Sequence, residues 1–198
     1  TQECVHRGAA FLTWLADVTR ILRGGEVAHA VIGAVALAVH GVARATADLD
    51  LLAIDDRCLD SPFWGELTAR GIEVEIRRGD SADPLAGVVR IASSGEPSID
   101  LVIGRWRWQS ELLMRAEPTR IGDVSVPVVT APDFVLLKLY AGGPQDAWDV
   151  DQLLDVDPAI ATRINAAVTA LPPESIRLWR RILANRTNSS PTDEPEEL

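Results

Sequence analysis

The sequence predicts an α+β protein, a mixed sheet with flanking helices followed by a helical lobe, and three observations predict it. Short alternating apolar runs recur through the first two thirds of the chain, the pattern of strands with one wet face. Helical segments stopped by glycine interrupt them. After Thr130 the alternation ends and only helical spacing remains. With 198 residues, 47% hydrophobic, the chain can fill one substantial core or two small lobes. The expected division is a sheet lobe over 1–129, a helical lobe over 130–186 and a disordered acidic tail over 187–198.

The elements follow in order. Phe11, Leu12, Leu15, Val18 and Leu22 share a helical face over 3–22, and Gly24-Gly25 stops it. Val27–Ile32 reads as a buried strand and Ala34–Val39 as a short helix between Gly33 and Gly41. Asp48–Ile54 alternates as a strand; Pro62–Arg70 is expected to be helical, with Gly71 as its stop. Ile72–Arg77, Val88–Ala92 and Ser98–Ile103 are strands, Trp106–Ala116 a helix, and Val124–Val129 a strand placed at a sheet edge because of Pro127. Thr130-Ala-Pro-Asp133 is a helix start, with a threonine cap, an early proline and an acid three residues on. Helices are then expected at about 133–141, 145–154, 158–170 and 174–185.

Composition narrows the function. Two cysteines, Cys4 and Cys58, exclude a disulfide scaffold and are read as inert; with three scattered histidines they build no zinc site. A formal charge of −10 argues against a generic nucleic-acid coat protein. The longest uncharged stretch, Val27–Ala43, is short of a membrane span and holds two glycines and two histidines, so no membrane association and a cytoplasmic location are expected. His29 and His40 lack partners at catalytic spacing and are read as structural. Lys138 is the one lysine, against eighteen arginines, and it falls in an otherwise apolar helical segment. An ammonium there must snorkel or meet an anion, which could be a neighbouring aspartate or a nucleotide triphosphate.

The central motif is Arg44-Ala-Thr46-Ala-Asp48-Leu-Asp50-Leu-Leu. On a strand, Asp48 and Asp50 share one face while Leu49 and Leu51 bury the other. Paired carboxylates repel unless a cation lies between them, and magnesium takes one or two carboxylates together with substrate phosphates. Asp100, on the alternating strand Ser98–Ile103, is the candidate third ligand if its strand pairs beside the first. Val31-Ile-Gly33-Ala34 is a strand–glycine–helix turn of the kind that lets backbone N–H groups approach a phosphate.

Gly33-Ala34, His40-Gly41, Arg44-x-Thr46-x-Asp48-x-Asp50 and a later strand aspartate together resemble the polymerase-β-type nucleotidyltransferase superfamily. The block from Thr130 through Lys138 to Asp146 and Asp149 is similar to its AbiEii branch, which includes the MenT toxins. The resemblance implies transfer of NMP from an NTP, with Mg2+ or Mn2+ on Asp48, Asp50 and Asp100. It implies nucleotide binding by Gly33, Ala34, Arg44 and Lys138, with Asp146 assisting Lys138. It also implies a toxin acting on the 3′ acceptor end of tRNA, blocking translation and restrained by a cognate antitoxin. An antitoxin kinase acting on Thr46 would place a phosphate beside the carboxylates and switch the site off. Many superfamily members carry Gly-Ser where this chain has Gly33-Ala34, so phosphate grip must lean on backbone amides and basic side chains. Arg105-Trp-Arg-Trp108 and the group Arg177, Arg180, Arg181 and Arg186 are candidate RNA contacts. The alternatives are an antitoxin-type transferase that adenylylates a protein, and an inactive nucleotide-binding relative.

Overall fold

The apolar stripe at the start of the chain folds as α1, Gln2–Gly24, with Leu15, Val18 and Leu22 fully buried. The structure, a computed structural model, describes residues 2–46, 48–93 and 97–189, in two units divided between Thr130 and Ala131. In the first unit α1 is followed by β1 (His29–Ile32), α2 (Gly33–Val39) and β2 (Leu49–Ala53). Two 3-10 turns, Asp56–Leu59 and Ser61–Trp64, lead into α3 (Gly65–Ala69). Then come β3 (Glu73–Arg78), β4 (Gly87–Ala92), β5 (Ile99–Ile103), α4 (Arg107–Arg115), β6 (Glu117–Ile121) and β7 (Val124–Val128).

The seven strands form one mixed sheet in the order β3-β4-β5-β2-β1-β7-β6. The pairs β2/β5 and β1/β7 are parallel and the remaining pairs antiparallel. Alternation explains the central strands: Leu49 and Leu51 of β2 and Ile99, Leu101 and Ile103 of β5 are buried, while Asp50 and Asp100 are half-buried on the other face.

Three expectations change. The segment 62–70 is helical only from Gly65 to Ala69; its start tightens into 3-10 turns because Trp64 is fully buried and donates its indole N–H to the Cys58 carbonyl at 2.8 Å. The strand with Pro127 is not at the edge. It lies between β1 and β6, Pro127 sits opposite Pro118, and pairing with β1 shrinks to the single register pair Val31 and Val128. The true edge strand, β6, escapes sequence reading because its largely exposed residues show no alternation.

The second unit contains α5 (Ala131–Ala141), α6 (Pro144–Val156), α7 (Ile160–Ile164), a 3-10 turn at Ala167–Ala170 and α8 (Pro173–Ser189). The expected single helix over 158–170 is split; Ile160, Ile164 and Val168 stay buried at four-residue spacing and the tighter turn brings Leu171 inward. Thr187 and Asn188 belong to α8 rather than to a tail, and the rest of the expected disordered tail, from residue 190, lies outside the described residues. The Cys4 side chain also lies outside what is described, whereas Cys58 is buried and its thiol is pushed up to about 12 by burial. No helix among the described residues is long and apolar enough to cross a membrane.

His29 is buried and donates from Nδ1 to the Val27 carbonyl at 2.8 Å, and burial lowers its pKa. A lowered folded pKa means that the unfolded chain binds the proton first, so stability falls as pH drops below about 6.5. Chemical denaturation between pH 8 and 5 should show this loss, and His29→Gln should flatten that part of the profile.

Candidate metal and nucleotide site

The acidic motif divides at the strand boundary. β2 begins at Leu49 and does not extend backwards, so the shared parity expected of Arg44, Thr46 and Asp48 is not set by a strand. Asp48 sits just before β2, and its Oδ1 accepts from Ser98 Oγ at 2.6 Å. Thr46 closes a local turn, donating from Oγ1 to the Asp48 carbonyl at 2.9 Å and accepting from the Asp48 amide at 3.2 Å. Arg44 lies in the irregular segment between α2 and β2, and Ala47 is outside the described residues.

Asp50 and Asp100 do come together. They are register partners on the parallel strands β2 and β5, which puts their side chains on one face at adjacent-strand spacing, about 4.8 Å. The row continues outward: Arg90 of β4 faces Asp100, and Glu75 of β3 faces Arg90. Arg90 reaches Asp100 Oδ2 at 3.3 Å and Asp48 Oδ1 at 3.7 Å. Asp100 Oδ1 is buried with no hydrogen-bond partner among the described residues. Burial is the largest influence on the Asp100 carboxyl and raises its pKa, partly opposed by Arg90 and reinforced by Asp48.

The expected convergence of three acids is therefore incomplete. Among the described residues no three His, Cys, Asp or Glu side chains are arranged to hold an ion together. The physical reason is visible in the contacts: Ser98 holds Asp48, and Arg90 interposes a guanidinium between Asp48 and Asp100. The donor set still fits a hard dication, because two adjacent carboxylates, one with an unsatisfied buried oxygen, are what magnesium uses beside substrate phosphates.

Gly33 opens α2 in the left-handed region, φ 64°, and a Cβ at this position would overlap the Asp50 carboxylate. The turn is glycine because Asp50 packs against it, a tighter reason than the phosphate approach expected from the sequence. Ala34 follows it, buried. His40 donates to or accepts from no catalytic group; its Nε2 bonds the Val129 carbonyl at 2.7 Å, a structural role.

In the second unit, Lys138 of α5 meets two carboxylates of α6. Its Nζ lies 2.8 Å from Asp146 Oδ1 and 2.8 Å from Asp149 Oδ2. Asp146 also accepts the Gly143 amide at 3.0 Å, and Asp149, which is fully buried, accepts from Gln145. Asp149 belongs to the cluster equally with Asp146, the residue the resemblance favours. Arg90 was missed altogether, although it is the lone charge in the otherwise apolar strand Gly87–Ala92.

The two proposed RNA-contact clusters are less free than expected. Arg105 donates to the Asp80 and Leu85 carbonyls at 3.0 and 2.7 Å, and Arg186 pairs with Asp151 and Asp155 at 2.5 and 2.7 Å. Trp106 is exposed, whereas Trp179 is buried.

No protein-family model matches this chain, and no curated protein matches it by sequence. Solved structures do. A nucleotidyltransferase-like antigenic protein from Paracoccidioides brasiliensis superposes with a TM-score of 0.52 at 16% identity, covering 90% of this chain and 88% of that one. A candidate nucleotidyltransferase from Thermotoga maritima superposes with a TM-score of 0.51 at 14% identity, covering 74% of this chain and 94% of that one. The fold is nucleotidyltransferase-like. At these identities the likeness establishes the fold and leaves the AbiEii branch and the chemistry to other arguments.

Gly33→Ala should lower stability by at least about 1 kcal/mol from the left-handed backbone alone, with the overlap on Asp50 adding to it. Gly33→Ala combined with Asp50→Ala should recover only the overlap part, which a double-mutant cycle by urea denaturation would separate. Lys138→Met leaves the buried Asp149 uncompensated and should cost about 3–5 kcal/mol. Adding Asp149→Asn should restore much of that loss in the same assay.

Proposed function

We propose that this protein is a divalent-metal-dependent nucleotidyltransferase that moves NMP from an NTP to an acceptor hydroxyl. The observation that carries the reading is the Asp50 and Asp100 pair, side by side on the central strands of a nucleotidyltransferase-like sheet, with Asp100 Oδ1 buried and lacking a hydrogen-bond partner among the described residues. Asp50 and Asp100 would hold Mg2+ or Mn2+, with Asp48 joining them. The ion would supply charge neutralisation at the phosphates and acidify the acceptor hydroxyl.

The acceptor oxygen attacks the α-phosphorus, the bond from that phosphorus to the bridging oxygen of pyrophosphate breaks, and pyrophosphate leaves with the bond's electron pair. The acceptor hydroxyl, acidified by the ion, would give up its proton to a site carboxylate or to water as the bond forms. Gly33 and Ala34, through their backbone, and Arg44 and Lys138, through their charges, are assigned to the nucleotide. Asp146 and Asp149 hold the Lys138 ammonium within the second unit, and its assignment to the nucleotide is supported by the sequence block from Thr130 to Asp149.

The finer reading is that of a toxin of a toxin–antitoxin pair acting on the 3′ acceptor end of tRNA. Its support is the sequence block from Arg44 to Asp50 and the block from Thr130 to Asp149. Thr46 Oγ1 hydrogen-bonds the Asp48 backbone, so a phosphate placed on it by an antitoxin kinase would add negative charge beside the acids and bar the nucleotide.

Incubation with labelled NTP and Mg2+, with total tRNA or with protein as acceptor, tests this reading. Label on tRNA is the expected outcome. Label on protein would replace the acceptor with a polypeptide, and no label on either would remove the enzymatic reading. Asp48→Ala and Asp50→Ala should each reduce labelling at least about a thousandfold while leaving the protein folded.

A further inference from the structure

Arg90 lies within ion-pair distance of both Asp48 and Asp100. Its contacts, 3.3 and 3.7 Å, are longer than the roughly 2.7–2.9 Å of a tight charge-assisted hydrogen bond. Elsewhere in the same unit arginines do reach that closeness: Arg57 lies 2.6 Å from Asp55 and Arg78 lies 2.6 Å from Asp60. Arg90 is thus shared between two carboxylates and gripped firmly by neither. Its side chain is 46% exposed, so it can leave without disturbing the core. Asp100 Oδ1 still lacks a hydrogen-bond partner among the described residues, so Arg90 compensates the acids only in part. The other neighbour of Arg90 in the cross-strand row is Glu75, whose Oε1 accepts from Arg77 Nε at 2.8 Å and whose carboxylate also feels the Arg90 charge. The row reads Glu75, Arg90, Asp100, Asp50, with an anion on either side of the guanidinium.

We propose that Arg90 is the resident counter-ion of this site, bridging Asp48 and Asp100 in place of a divalent cation and yielding the position, toward Glu75, when the cation binds. The inference rests on the metal-dependent reading given above. Its consequence is a competition: a dication must displace a tethered guanidinium before it can use both carboxylates. The acids are partly neutralised without metal, at the expense of apparent metal affinity. A shared, half-exposed ion pair is weak, so the competition is worth about tenfold rather than many orders of magnitude.

The test is a titration of the nucleotide-free protein with Mn2+, following the paramagnetic resonance signal of the free ion. Arg90→Gln should bind Mn2+ about tenfold tighter than the wild type. Arg90→Lys keeps the charge on a stem that spans the two acids less well, so it should be tightened by a smaller factor; it also decides the matter if Arg90→Gln fails to fold by circular dichroism. Asp100→Asn should lose the binding. Equal or weaker binding by folded Arg90→Gln, or by Arg90→Lys where that variant decides, overturns the counter-ion role. In that case the metal reading survives if the wild type binds Mn2+ and Asp100→Asn does not. If neither the wild type nor the Arg90 variants bind Mn2+ at millimolar concentration, the counter-ion role and the metal-dependent reading both fall.

Discussion

Asp50 and Asp100 occupy one cross-strand row of two parallel strands, where two ionised carboxylates repel unless a cation or a proton relieves them. The surrounding architecture is arranged around this constraint. Leucines and isoleucines bury the far face of β2 and β5, which fixes the register and keeps both carboxylates on the near face. Gly33 gives up its side chain so that the Asp50 carboxylate has room, and Ser98 holds Asp48 at the start of the strand. Arg90 supplies a positive charge within ion-pair distance of Asp48 and Asp100.

A second charged cluster obeys the same rule in the other unit. Lys138 lies in a helix whose neighbours are nearly all apolar, and two aspartates one turn apart on α6 neutralise it. The fully buried Asp149 makes the pair costly to break on either side, so this cluster anchors α5 to α6 whatever else its ammonium does.

Much of the fold was legible in the chain because it follows from periodicity. Alternation located β2, β3, β4 and β5 to within a residue or two, and the change of period at Thr130 coincides with the division into two units. Elements without a buried stripe were not legible. β6 is an edge strand with little apolar content, and the turns before α3 are shaped by the burial of Trp64 rather than by local propensity. Pro127 misled for a related reason: a proline is excluded from a strand interior only where its missing N–H is needed, and here pairing with β1 amounts to one register pair.

For the candidate site, the sequence by itself determined which residues carry charge against an apolar background: Asp48, Asp50, Asp100 and Lys138. That is so because an ionised group beside buried leucines needs a compensating partner in any fold. Which partner it finds is a property of non-local pairing. Only the tertiary structure decided that Asp100 stands beside Asp50, that Arg90 lies across from both Asp48 and Asp100, and that Asp149 shares Lys138 with Asp146. Register between strands fifty residues apart is set by the packing of their buried faces, and no local pattern encodes it.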